Sequence, residues 1–141
     1  MEKKQVALPV KWDGNLSVGI KSFDDEHKAL VGIINHLFAN IQANKGKDVL
    51  EDIICDLITY ARLHFATEEE VMLAYGYPEY EIHKKEHDGF SGKLEDFHLR
   101  YRGNEALMML EVLGSLVEWL ETHMCGTDKR YTRFLTDKGI K

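Results

Sequence analysis

Four stretches of the chain place side chains of one kind at alternating steps of three and four residues, and only a helix puts residues so spaced on one face. The longest runs through Leu50, Ile54, Leu57, Ala61, His64, Glu68, Val71 and Tyr75, stepping 4, 3, 4, 3, 4, 3, 4. The next runs through Tyr80, His83, His87, Phe90, Leu94, Phe97 and Tyr101, and the last through Ala106, Met109, Leu113, Leu116, Leu120 and His123. The earliest carries Phe23, Leu30, Ile34, Leu37 and Ile41, with His27 on the same face. A stripe that is apolar except for scattered histidines and one glutamate must bury those polar groups with the rest.

Punctuation between the stripes predicts the boundaries. Helix one is expected to start near Ser22–Asp24, with Asp24 as N-cap and Asp25 and Glu26 favoured by the helix dipole. Asn44, Lys45, Gly46 and Lys47 end it. Helix two is expected from Asp48, with Glu51 completing a capping-box arrangement, and Gly76 stops it. Helix three follows from about Pro78 to Gly103, and Asn104 caps helix four, which should end near Cys125–Gly126. Thr127 or Asp128 should then cap a short helix with Tyr131, Phe134 and Leu135. Four amphipathic helices joined by short loops predict an all-α, up-down-up-down four-helix bundle over residues 22–125. Residues 1–21, broken by Pro9, Gly14, Asn15 and Gly19, read as an extended N-terminal arm whose Trp12, Leu16, Val18 and Ile20 pack on the body. The short C-terminal helix and tail occupy 126–141, and the whole of 1–141 reads as one domain.

Composition narrows the partners. A net charge of −6 argues against nucleic acid or an anionic membrane surface. No apolar run approaches the ~20 residues of a membrane span, and the N-terminal apolar stretch is too short for a signal peptide. Cys55 and Cys125 form no framework, which suits reduced thiols in a cytoplasmic protein.

The histidines carry the functional signal. Of seven, His27, His64, His83, His87 and His123 lie on the core stripes, while His36 and His98 sit beside theirs. His27 is near the start of helix one, His64 and Glu68 near the end of helix two, His83 and His87 near the start of helix three, and His123 at the end of helix four. In an up-down bundle these are all one end of the molecule, within about 12 Å of it at 1.5 Å per residue. Buried together, five imidazoles and a carboxylate need partners, and a metal centre supplies them. Asp128, just past the expected end of helix four, can fold back over the site.

Five histidines and two carboxylates exceed one tetrahedral zinc and suit two octahedral ions with bridging carboxylates. The imidazole majority argues against calcium and magnesium and favours iron, with manganese, cobalt or zinc able to bind in vitro. With an oxo or hydroxo bridge, the ligands fill all but one of twelve positions, roughly the vacancy a small molecule such as O2 needs.

These residues resemble the hemerythrin family, most closely its single-domain bacterial form, bacteriohemerythrin. The resemblance spans residues from about 10 to 135: the arm VKWDGNLSVGI, DDEHKAL with His27, HFATEE with His64 and Glu68, HKKEH with His83 and His87, and WLETHMCGTD with His123 and Asp128. It implies that His83, His87 and His123 bind one iron, that His27 and His64 bind the other, which keeps the open position, and that Glu68 and Asp128 bridge them. It places Trp12, Trp119, Leu120 and Met124 as walls of an O2 pocket. Glu26 departs from it, standing where the family usually has glutamine. The activity implied is reversible O2 binding by a non-enzymatic monomeric carrier, storage or delivery protein, with an oxygen-consuming enzyme as recipient. The alternatives are a di-iron oxidase or peroxidase, or a nitric-oxide or oxygen sensor, using the same site. A zinc protease reading of His83-Lys84-Lys85-Glu86-His87 leaves five other candidate ligands unused.

Overall fold

The computed structural model describes residues 9–14, 16–100 and 106–140. The expectations for residues 1–8, Asn15, Tyr101, Gly103 and Asn104, and for the side chains of Ala106 and Met109, lie outside the described residues. Helix α1 spans Lys21–Gln42, α2 Lys47–Ala74, α3 Tyr80–Arg100 and α4 Ala106–Thr122. A π-helical turn, His123–Thr127, then leads directly into α5, Asp128–Asp137. Helices α1 and α3 each pack against both α2 and α4, so the four close into a bundle as the stripes require.

The ends differ from expectation in instructive ways. Helix α1 begins three residues before Asp24, with Ile20 at the N-cap position and no side-chain cap. Asp24 instead accepts hydrogen bonds from the Val18 amide at 2.8 Å and the Ser17 hydroxyl at 2.6 Å. The arm brings its own donors to this carboxylate, turning at Gly19, whose φ of 75° favours glycine. Helix α2 starts at Lys47 behind Gly46, again without a side-chain cap, so Asp48 and Glu51 form no capping box. Its stop is as expected: Gly76 has φ 70°, the Gly76 amide donates to Leu73 O and the Tyr77 amide to Met72 O. Those two bonds close a Schellman turn, with Met72 and Tyr77 in one apolar cluster. Pro78 stays in the turn, and α3 begins at Tyr80.

The stripe of α2 is also corrected at its end. Met72 is buried, whereas Val71 is half-buried and Tyr75 is 41% exposed. A straight helix drifts ~20° per heptad from a strict 3.5-residue repeat, so the buried line moves off Val71 and Tyr75 and onto Met72. The arm lies as expected, with Leu16, Val18 and Ile20 buried and Trp12 half-buried. Asn35 of α1 clasps it by accepting from the Val10 amide at 2.7 Å and donating to the Val10 carbonyl at 2.8 Å.

Two apolar clusters divide the interior. The larger fills the bundle with residues such as Leu30, Ile34, Leu57, Phe65, Phe90, Leu94, Leu116 and Met124. The smaller closes one end with Val18, Ile20, Phe23, Met72, Tyr77, Tyr131 and Leu135. On each helix the polar stripe residues fall where one cluster gives way to the other: His27 between Phe23 and Leu30, His64 and Glu68 between Ala61 and Met72. The fold therefore holds a polar layer between two apolar ones.

Candidate metal centre

All seven expected ligands are in that layer, and each is at most 2% exposed. The spacing i, i+4 stacks His64 on Glu68 within α2 and His83 on His87 within α3. His123 and Asp128 are five apart, which on an α-helix would turn them roughly 140° from one another. The π turn removes that mismatch. Its wider ring is closed by the Asp128 amide donating to the His123 carbonyl, and both side chains reach the same point. The expected break at Cys125–Gly126 with a fresh cap on α5 is therefore absent: Asp128 enters the polar layer, and both Cys125 and Gly126 are exposed on the turn's outer side.

The histidine nitrogens divide between the oxygens of the two carboxylates. Glu68 Oε1 lies 3.1 Å from His87 Nε2 and 3.6 Å from His83 Nε2, and Asp128 Oδ1 lies 2.8 Å from His83 Nε2 and 2.9 Å from His123 Nε2. On the other side, Glu68 Oε2 lies 3.4 Å from His27 Nε2 and 3.3 Å from His64 Nε2, with Asp128 Oδ2 3.3 Å from His27 Nε2. Donor atoms of Glu68, His83, His87, His123 and Asp128 all come within 4.8 Å of one another, and so do those of His27, His64 and Glu68. Glu68 belongs to both groups.

These atoms are close without satisfying one another. Nε2 of His64, His83, His87 and His123, Glu68 Oε1 and both Asp128 oxygens are buried with no hydrogen bond among the described residues. Buried polar atoms are otherwise almost always paired. Lone pairs aimed at a common point, and not along each other's donors, suit cations placed between them.

The outer ring nitrogens are held separately. His64 Nδ1 donates to Glu26 at 2.7 Å, His87 Nδ1 to Glu69 at 2.8 Å and His123 Nδ1 to Glu86 at 3.3 Å. An ionised carboxylate only accepts, so these contacts keep a proton on Nδ1 and make Nε2 the inward nitrogen that would offer its lone pair to a metal. Glu86 also accepts from the Thr127 hydroxyl in the π turn at 2.8 Å, which engages the glutamate of the protease-like motif outside the cluster. Glu69 thus supports a candidate ligand, while its neighbour Glu70 is exposed. Nδ1 of His27 and of His83 is buried without a hydrogen bond among the described residues.

Aromatic rings wedge the imidazoles. Phe65 stacks on His87 with centroids 4.0 Å apart, and Trp119 on His123 at 4.7 Å. Of the expected pocket walls, Trp119 thus touches a candidate ligand, Leu120 and Met124 are buried in the larger cluster, and Trp12 packs against that cluster under Lys28.

The electrostatics follow from two carboxylates among imidazoles. Burial alone would lower His64, but the charges of Glu68 and Glu26 outweigh it and hold it up at about 10. Burial likewise opposes His83, which Asp128 and Glu68 raise to about 9, and His27 is raised by the same two carboxylates. Burial would raise Glu68, but the surrounding histidines pull it well below the usual carboxylate range; Asp128 is lowered by His123, His27 and His83 against burial and the Glu68 charge. Tyr131, unremarked as a site residue in the sequence, donates to Glu68 Oε2 at 2.5 Å, and burial followed by the nearby carboxylates raises its phenol. Its place three residues after Asp128, one helical turn along α5, is the sequence signal that points to it.

The family model described as Hemerythrin HHE cation binding domain matches residues 18–135. The chain belongs to the hemerythrin family. It is 31% identical over 120 residues to a bacteriohemerythrin of Stenotrophomonas maltophilia, covering 85% of this chain and 77% of that protein. A bacteriohemerythrin of Clostridium acetobutylicum is 32% identical over 124 residues, covering 85% of this chain and 96% of the relative. A myohemerythrin of Theromyzon tessulatum is 30% identical over 127 residues, covering 90% and 94%. Among solved structures, a wild-type hemerythrin crystal structure superposes with a TM-score of 0.81 at 27% identity, covering 90% of this chain and 97% of that one. Among the described residues of this hemerythrin, no helix is long and apolar enough to cross a membrane.

Proposed function

We propose that this chain binds O2 reversibly at a pair of non-heme iron ions held in the polar layer. The observation that carries the reading is the division of five Nε2 atoms between the two oxygens of each carboxylate. His83, His87, His123, Glu68 Oε1 and Asp128 Oδ1 would hold one ion, and His27, His64, Glu68 Oε2 and Asp128 Oδ2 the other. That is five donors against four. By donor count the first ion would be the more nearly saturated by the protein, and the second would keep more room for a small ligand. When bound, a pair of ferrous ions supplies the electrons and the open coordination position that O2 binding requires.

The chain supplies the rest. Glu26, Glu69 and Glu86 fix three imidazoles by their Nδ1 protons, which orients each ring and sets its tautomer. Trp12, Trp119, Leu120 and Met124 serve as apolar walls that keep water from the open position. With the seven ligands given to the metals and the Tyr131 hydroxyl already donated to Glu68, the described side chains of the layer leave no uncommitted general acid; this suits a carrier that hands O2 to an oxygen-consuming enzyme. Anaerobic reconstitution with ferrous iron tests the reading. The expected result is two irons per chain and one O2 taken up per iron pair; one iron per chain, or net consumption of O2 with continued turnover, contradicts it.

A further inference from the structure

Four carboxylate oxygens face the histidines, and one differs from the rest. Glu68 Oε2 accepts a 2.5 Å hydrogen bond from the Tyr131 phenol, whereas Glu68 Oε1 and both Asp128 oxygens accept none among the described residues. The bonded oxygen is also the one on the two-histidine side, 3.4 Å from His27 Nε2 and 3.3 Å from His64 Nε2. The phenol is fixed there. Tyr131 is fully buried, its ring lies along His83 with centroids 5.4 Å apart, and Phe23 meets it edge-on at 5.5 Å.

We propose that Tyr131 is a positioning residue that makes the two metal sites unequal, withdrawing charge from the Glu68 oxygen that serves the two-histidine ion and so favouring the reduced state of that ion. The inference rests on the di-iron reading above. A hydrogen bond to a carboxylate oxygen draws off part of the negative charge it offers a metal, and a ferric ion loses more by this than a ferrous one. Asp128 adds no such inequality, since neither of its oxygens is bonded. The outer carboxylates act in the same direction. Glu69 and Glu86 push charge through His87 and His123 toward the three-histidine ion, while Glu26 alone does so through His64 toward the other. The two-histidine ion thus has fewer imidazoles, fewer charged supports and the one weakened carboxylate oxygen.

Tyr131→Phe keeps the ring and its packing and removes only the hydroxyl. In the full chain loaded with two irons, the reduced-to-oxidised ratio at a fixed potential should fall by about tenfold, a downward shift of ~59 mV for one electron. Autoxidation should accelerate, with iron content and helical circular dichroism unchanged. An unshifted or raised potential in a variant holding two irons overturns the proposal. A second measurement needs no variant: in half-oxidised wild-type protein carrying 15N-histidine, the ferric ion should show coupling to three imidazole nitrogens. Coupling to two overturns the proposal equally. A wild-type chain that takes up fewer than two irons overturns the di-iron reading, and this inference with it.

Discussion

Loading the metal-free chain with a divalent ion at neutral pH should release protons, and the site says which ones. His64 is held up at about 10 and His83 at about 9, so each carries nearly a whole proton at neutral pH. Against its burial, Asp128 and Glu68 raise His27 as well. A metal takes the Nε2 lone pair, so those protons must leave, whereas Glu68 and Asp128, both lowered, are already ionised and release none. Redox-silent Zn2+ should therefore displace about two protons per chain from His64 and His83, and log Kapp should rise by about two per pH unit just above neutrality. Calorimetry in buffers of different ionisation enthalpy counts the protons directly. Release of fewer than about one proton would refute the electrostatic account of the layer. The same shifts fix how stability depends on pH. The pKa values of His64 and His83 are raised on folding, so their contribution is complete below the ordinary value of 6.5 and is lost as pH rises through about 9 to 10. Those of Glu68 and Asp128 are lowered, so their contribution is present above the ordinary carboxylate range and is lost as pH falls below it. The metal-free protein should be most stable between these limits, and metal should extend the alkaline one.

His64→Ala should leave about one tightly held iron per chain and abolish reversible oxygenation, since it removes one of the two imidazoles on that side; metal analysis and the visible spectrum check this, and retention of both irons with oxygenation would contradict it. Glu26→Ala removes the 2.7 Å partner of His64 and should weaken the second ion by about 10–100-fold, read from competition with a chelator. Asp24→Ala removes the acceptor for Val18 and Ser17 and should destabilise the arm by about 1–3 kcal/mol, seen as a lower midpoint in urea with the metal-binding helices intact.

The bundle and the ligand layer were legible in the sequence for one physical reason. Helical stripes convert position along the chain into height, and height alone brings His27, His64, His83, His87 and His123 to one level. Features decided by a few residues acting across the fold were not legible. Asp24 looks like a helix cap by its neighbours, but the arm reaches it first. The five-residue gap from His123 to Asp128 is readable as a spacing, yet not as a π turn, because an α-helix and a break satisfy the same letters. Tyr131 and Glu68 are far apart in sequence, and nothing in either segment announces their hydrogen bond. Glu86 was readable only as part of a protease-like motif, and its real contacts, Thr127 and His123, come from the far end of the chain. Val71 and Tyr75 continue an unbroken rhythm that the helix itself does not keep.

The most direct measurement of the central claim is the visible spectrum of the iron-loaded chain, with iron counted, through repeated cycles of oxygenation and removal of O2. Reversible O2 binding at two irons predicts a band that appears with O2, vanishes on deoxygenation and returns at full amplitude. A band that bleaches irreversibly in the first cycle, or one that cycles with a single iron per chain, would contradict it.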